Sequence, residues 1–264
     1  MIYSWIEKIF HSVADGLIAA LPRALPRREK LEECRLISHR GEYDNRQILE
    51  NTLAAFDRVR DCGVWGTELD VRWTKDLQPI VFHDADFQRL FGSISRVNSM
   101  TMAEIRSKYP MIPSLGEVIL RYGKKLHLMI EIKMETYPDP AYQSQIMSDL
   151  LSQLNPIEDF HILSMNPGMF EFMHFVQSQT FLPIAQTNVH TLSEIAMKKN
   201  YGGITGHFFF ITERVKTRHQ GIGQKVGTGY ANSRNCLFRE INRGIDWIFS
   251  DSALDMHSII STNI

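Results

Sequence analysis

The chain has 264 residues, 44% of them hydrophobic and 22% charged, with a net charge of −1; this is the make-up of a globular protein with a substantial core, at a length that α/β barrels reach as one domain. The near-zero charge removes any electrostatic case for nucleic acid as a partner. Three widely spaced cysteines, Cys34, Cys62 and Cys236, form no CxxC pair and read as reduced thiols of a cytosolic protein, not as a disulfide framework or a zinc site.

Residues 1–33 stand apart as an extension. Ile2, Trp5, Ile6, Ile9, Val13 and Leu17 recur at helical spacing, and Glu7, Lys8, His11 and Asp15 interrupt the run too often for a membrane span. Pro22 and Pro26 end this amphipathic helix, and Arg23, Arg27, Arg28 and Lys30 follow as a basic cluster. Two readings stay open. The helix packs on the body of the protein, or residues 1–30 make peripheral contact with an anionic membrane surface.

From residue 34 to 264 short apolar runs alternate with helical patterns. "RLISH", "GTELDV", "PIVFHD", "LHLMIEIK", "FHILSM", "LPIAQT", "GGITG", "QKVGTGY" and "DWIFSD" read as strands. Helices are expected near 51–62, 115–122, 140–154, 167–177, 192–199, 212–220 and 234–243. Repeated βα units in this number predict a (β/α)8 TIM barrel. The ninth strand has an explanation. "TKDLQ" is too short for the crossover that parallel neighbours need, so "ELDV" and "PIVFH" form a hairpin turning near Asp76 and Leu77, a register that sets His83 opposite Asp70.

Ionisable groups in such strands are costly unless paired, metal-bound or catalytic. Residues two apart on a strand point the same way, so Glu68 and Asp70 project together, as do Glu131 and Lys133. On barrel strands they converge at the C-terminal mouth, where barrel enzymes keep their active sites. Three carboxylates without clustered His or Cys favour a hard divalent cation, Mg²⁺ or Ca²⁺. His39 and His83 each end a strand and supply a general acid and a general base near neutral pH. Arg40 and Lys133 add fixed positive charge for a phosphoryl group. Together these residues describe a phosphodiester-cleaving site for a small molecule.

The ordered series "HRG" (39–41), "ENTLAAF" (50–56), "ELDVRWTKD" (68–76), "PIVFHDADFQR" (79–89), "EIK" (131–133) and "IFSD" (248–251) resembles the glycerophosphodiester phosphodiesterase family over about residues 35–252. The resemblance implies a metal-dependent barrel that hydrolyses glycerophosphodiesters to glycerol 3-phosphate and an alcohol. It implies Glu68, Asp70 and Glu131 as metal ligands and His39 and His83 as the acid/base pair. Arg40 and Lys133 would contact the phosphate, with Glu50 close to the substrate. It also implies attack by the substrate's own glycerol hydroxyl, giving a cyclic phosphate that water then opens.

Two departures from the family pattern stand out. "EYDNRQIL" lacks the proline usual before the Glu of "ENT". The family's late "WTVN" is "GYAN" here, with Gly229 where a tryptophan would flank the pocket. That exchange either widens the mouth or leaves room for Phe209 or Tyr230. Beside the leading reading stand a lysophospholipase D acting at a membrane surface, a glycosidase, against which His39, His83 and Lys133 argue, and a diester-binding barrel without turnover.

Overall fold

The computed structural model describes residue 16 and residues 18–264; the amphipathic positions from Ile2 to Leu17 lie outside the described residues. Residues 19–30 run along one helix of the barrel, where Asn235 and Asn242 donate to the carbonyls of Ala19 and Ala24 and Lys30 donates to the carbonyl of Asn242. Among the described residues no helix is long and apolar enough to cross a membrane.

In chain order, α1 (Arg28–Glu32) leads to β1 (Leu36–His39), α2 (Leu53–Asp61), β2 (Gly66–Trp73) and β3 (Pro79–Val81). An excursion then carries β4 (Asp86–Phe87), α3 (Gln88–Phe91), β5 (Ser93–Arg96), α4 (Met102–Lys108) and α5 (Leu115–Tyr122). The remaining units are β6 (His127–Ile132), α6 (Pro140–Leu151), β7 (Phe160–Ser164), β8 (Phe181–Ala185), α7 (Val189–Lys198), β9 (Gly203–His207), α8 (Glu213–Gln220), β10 (Lys225–Gly229), α9 (Arg234–Arg243), β11 (Trp247–Ser250) and α10 (Ala253–Thr262). Strands β1, β2 and β6 to β11 pair in parallel, and β1 meets both β11 and β2, so the sheet closes into the expected barrel. Between β7 and β8 the helical pattern of 167–177 folds as a 3₁₀ segment over Pro167–Met173.

Strand alternation builds two cores. Leu69, Val71, Leu128, Ile130 and Ile162 face outward and pack with Phe56, Val59, Val118 and Leu237 of the surrounding helices. Ile37, Met129, Leu163, Leu182, Trp247 and Phe249 fill the barrel's interior. Glu68, Asp70 and Glu131 share the interior parity, Glu68 in register with Met129 and Asp70 with Glu131 one step nearer the C-terminal mouth. A separate cluster of Ile80, Phe82, Phe87, Val97, Ile105 and Tyr109 packs under the excursion.

The hairpin is antiparallel as expected, but its register differs by one residue. Val71, Arg72 and Trp73 face Val81, Ile80 and Pro79, and Phe82, not His83, lies opposite Asp70, its N–H donating to the Asp70 carbonyl at 2.9 Å. The cause is loop length. Thr74 pairs with Gln78, leaving the three residues 75–77 in the loop with Leu77 left-handed at φ +56°, the geometry of a three-residue hairpin connection. His83 therefore lies beyond the ladder, on a segment held by side chains.

A glycine is required at the rim. Gly41 has φ +80°, and a Cβ there would sit 2.8 Å from Cβ of Ala55. Gly41→Ala is expected to destabilise the protein by about 1–3 kcal/mol, from backbone strain plus overlap; urea denaturation of the two proteins checks it, and an unchanged midpoint would contradict it.

Candidate active site

The centre of the mouth is acidic. Carboxylate oxygens of Glu68, Asp70 and Glu131, all buried, lie within 4.8 Å of one another. Asp70 is the best anchored of the three. Its Oδ2 accepts from Asn51 Nδ2 at 2.7 Å and lies 3.2 Å from Arg40 Nε, and its Oδ1 lies 2.6 Å from Lys133 Nζ. Lys133 Nζ is also 2.7 Å from Glu131 Oε1. Burial works against ionising Asp70, but Lys133 and Arg40 outweigh it and hold its carboxyl well below the usual range. Glu68 is the reverse case. Burial first, then the like charges of Asp70 and Glu131, push its carboxyl well above the usual range. Glu68 Oε1 is buried without a hydrogen-bond partner. An orphan carboxylate oxygen amid two further carboxylates is a donor set that fits a hard divalent cation.

Both histidines are braced by carboxylates. His39 Nδ1 lies 2.6 Å from Asp251 Oδ1, and His83 Nδ1 lies 2.8 Å from Asp84 Oδ1. Against the cost of burial, His83 and Arg89 hold Asp84 down to about 2. Despite burial, His39 and Asn232 likewise keep Asp251 below the ordinary carboxylate range. Ionised carboxylates only accept, so each Nδ1 carries the proton and each Nε2 is left to a ligand. His39 Nε2 is 3.8 Å from Glu68 Oε2, which turns it toward the acidic centre. Burial lowers the His83 pKa, so its imidazole is neutral at pH 7.

Arg40 lies where β1 leaves the sheet, left-handed at φ +61°. That turn brings its N–H to the carbonyl of Glu68 at 3.1 Å and to Glu68 Oε2 at 3.2 Å. Glu50 is almost wholly buried, and protein donors occupy both of its oxygens. Arg40 reaches Oε1 at 3.1 Å, Asn45 reaches Oε2 at 2.7 Å, and Arg89 bonds both at 2.5 and 2.8 Å. Burial would raise the Glu50 pKa, but these cations hold it at about 2. Of the two aromatics considered beside Gly229, Tyr230 packs on His39 with ring centres 4.7 Å apart, while the Phe209 side chain is 57% exposed.

A family model described as the glycerophosphoryl diester phosphodiesterase family matches residues 39–207. The chain belongs to this family. The family is one of divalent-metal-dependent phosphoric diester hydrolases, and the buried carboxylates of Glu68, Asp70 and Glu131 are a group that could hold such a metal. It is similar to the glycerophosphodiester phosphodiesterase of Caldanaerobacter subterraneus subsp. tengcongensis, 35% identical over 42% of this chain and 50% of that protein. The chain thus spans half the length of that relative. A glycerophosphodiester phosphodiesterase of Bacillus altitudinis is 26% identical over 82% of this chain and 94% of its own. A phosphodiesterase of Oleispira antarctica, solved with its product sn-glycerol-3-phosphate, shares the fold with a TM-score of 0.73 at 22% identity, covering 90% of this chain and 97% of that one.

The structure brings Glu68, Asp70, Glu131, His39, His83, Arg40 and Lys133, the residues singled out in the sequence, together at one mouth of the barrel. The motifs read from the sequence assign no role to Asn51, Asp84, Arg89, Asn232 or Asp251. A signal for Asp251 did exist. Barrel closure pairs Ser38 with Ser250, so the next residues, His39 and Asp251, end adjacent strands side by side. Asn232 then secures Asp251, donating to its Oδ2 at 3.1 Å and accepting its backbone N–H at 2.8 Å.

Proposed function

We infer that this chain hydrolyses glycerophosphodiesters to sn-glycerol 3-phosphate and an alcohol. The observation that carries this reading is the orphan Glu68 oxygen among three converging carboxylates, beside two imidazoles with braced Nδ1 atoms. Glu68, Asp70 and Glu131 would hold Mg²⁺ or Ca²⁺, which supplies a Lewis acid for the phosphoryl oxygens when bound. Arg40 and Lys133 oppose the phosphate's negative charge. The bare Nε2 of one neutral imidazole takes the proton of the attacking hydroxyl and becomes imidazolium. The other histidine, entering the step as imidazolium, gives its Nε2 proton to the departing alkoxide and ends neutral, so charge does not build up on either oxygen.

The test follows glycerol 3-phosphate and free choline from glycerophosphocholine, with and without EDTA, in wild type, Glu68→Ala and His83→Ala. EDTA is expected to abolish turnover, and His83→Ala to lower kcat by about 10²–10⁴-fold. EDTA-insensitive turnover would overturn the metal assignment, and absence of turnover on any diester would favour a binding barrel. A second arm offers lysophosphatidylcholine vesicles. Faster turnover there, with flotation of the protein that is lost on removing residues 1–30, would favour a lysophospholipase D at a membrane surface.

A further inference from the structure

We propose that Arg89 is a positioning residue for His83, tying the histidine-bearing segment to the rigid base of the active site through Glu50. The proposal rests on the assignment of His83 to proton transfer. The need for such a tie comes from the register of the hairpin. β3 ends at Val81 and the Phe82 N–H makes the hairpin's last bond, to the Asp70 carbonyl, so His83 is the first residue beyond it and no ladder bond fixes it.

Side chains hold this segment at its backbone and at the histidine ring. Arg72 Nε donates to the His83 carbonyl at 2.7 Å, with its Nη1 on Glu135 at 2.9 Å. That contact fixes the backbone and leaves the ring free to turn. Asp84 Oδ1 holds the ring through Nδ1 at 2.8 Å. The backbone around Asp84 is bracketed by the Phe82 N–H donating to the Asp70 carbonyl and the Val97 N–H donating to the Ala85 carbonyl, but the Asp84 side chain orients the ring only if it is itself held. Arg89 Nε does this, 2.6 Å from Asp84 Oδ2.

The far end of Arg89 is equally well defined. Its two terminal nitrogens bond both oxygens of Glu50, which is 3% exposed and also receives Arg40 Nη1 and Asn45 Nδ2. Glu50 therefore has no oxygen left for a substrate and works as a strut. Arg40, on its other side, lies 3.2 Å from Asp70 Oδ2. A continuous line, His83–Asp84–Arg89–Glu50–Arg40–Asp70, joins one proton-transferring imidazole to the acidic centre by alternating charge. Only a planar guanidinium can serve Asp84 through Nε and Glu50 through both terminal nitrogens at once; an ammonium offers one point of charge.

The experiment reads the imidazole and the kinetics of Arg89→Ala and Arg89→Lys. Histidine side-chain ¹⁵N spectra are expected to show His83 in the Nδ1–H form in wild type and a mixture of tautomers in both variants. Turnover is expected to fall by about 10- to 100-fold, the usual cost of losing an orienting partner, in kcat and not in KM, with added guanidinium restoring part of it in Arg89→Ala. In a His83→Ala background, Arg89→Ala is expected to cost nothing further. An unaltered His83 tautomer, or the same fold-loss with and without His83, would overturn the proposal and leave Arg89 a merely structural residue. The spectra need no substrate, so they decide the positioning claim even where the diester reading fails.

Discussion

Glu68→Gln is expected to abolish turnover and yet raise the melting temperature measured in EDTA. The two effects have one origin. The Glu68 carboxylate is buried, lies within a few ångströms of two others, and has an oxygen with no protein partner. Without a cation, the protein must either bury an uncompensated charge or bind a proton there, and both cost stability. Glutamine keeps an acceptor for the Arg40 N–H and removes the like charge. A gain of about 1 kcal/mol, or about 2–4 °C in a chain of this size, is the expected scale. Added Mg²⁺ or Ca²⁺ should reverse the order. Wild type gains the linkage term RT ln(1 + [L]/Kd), while the variant has lost a ligand and gains less. Activity is expected to fall by at least about 10²-fold, as when one transition-state stabilising group is removed. Calorimetry of both proteins in EDTA and at millimolar cation checks the whole pattern. A variant less stable than wild type in EDTA would mean that some other group already compensates Glu68.

The same residue shows why much of the site could be read from the sequence. Glu68, Asp70, Glu131 and Lys133 obey strand alternation, so local periodicity alone predicts that each pair faces inward together, and the barrel's mouth collects them. Residues whose placement depends on loop geometry were less visible. The hairpin's existence followed from a connection too short for a crossover, but its register turned on Leu77 adopting a left-handed φ, which nothing in its side chain favours. That single residue shifts Phe82 into the place expected for His83. Asp251 meets His39 across 212 positions of sequence, a contact set by barrel closure. Glu50 is the opposite case. Its motif suggested a place near the substrate, and only the positions of Arg89, Arg40 and Asn45 reveal that its oxygens are taken. The helices α4 and α10 went unassigned, and in α4 only Met102, Ala103 and Ile105 are apolar. α4 is fixed by a capping box, in which Thr101 and Glu104 satisfy each other's backbone N–H groups.

Acid is expected to destabilise the protein well above the pH at which its paired carboxylates titrate, and the base of the barrel is the reason. His127 and His161, 6% and 2% exposed, fill the layer at the opposite end of the strands from the active site. The Glu158 carbonyl only accepts, so His127 Nδ1, 2.9 Å away, carries a proton. His127 Nε2 is then an acceptor in the neutral ring, and His161 Nδ1 donates to it at 2.8 Å. Trp65 stacks on His127, Trp247 packs edge-on to His161, and Arg35 and Lys225 lie over the two indoles. A further proton on His127 Nε2 would set two donors against each other beside two cations. Burial, the largest cause, lowers the His127 pKa to about 4, and burial with the neighbouring His127 pushes His161 well below its ordinary value. With both folded-state values below the unfolded value of about 6.5, the unfolded chain binds more protons, so stability falls as pH drops from 6.5 toward 4. Between pH 7 and 5 the loss from His127 alone is roughly 2 kcal/mol. Glu50 and Asp84, held at about 2, lose their contribution only at lower pH. Glu68, whose pKa is raised, runs in the opposite sense, so the readout is the difference between wild type and His161→Gln. The amide introduced by that substitution keeps a donor for His127 Nε2 and does not titrate. Urea denaturation at pH 7, 6 and 5 should give a shallower decline for the variant. Parallel declines would show that His161 adds nothing to the acid sensitivity, since His127 titrates in both proteins.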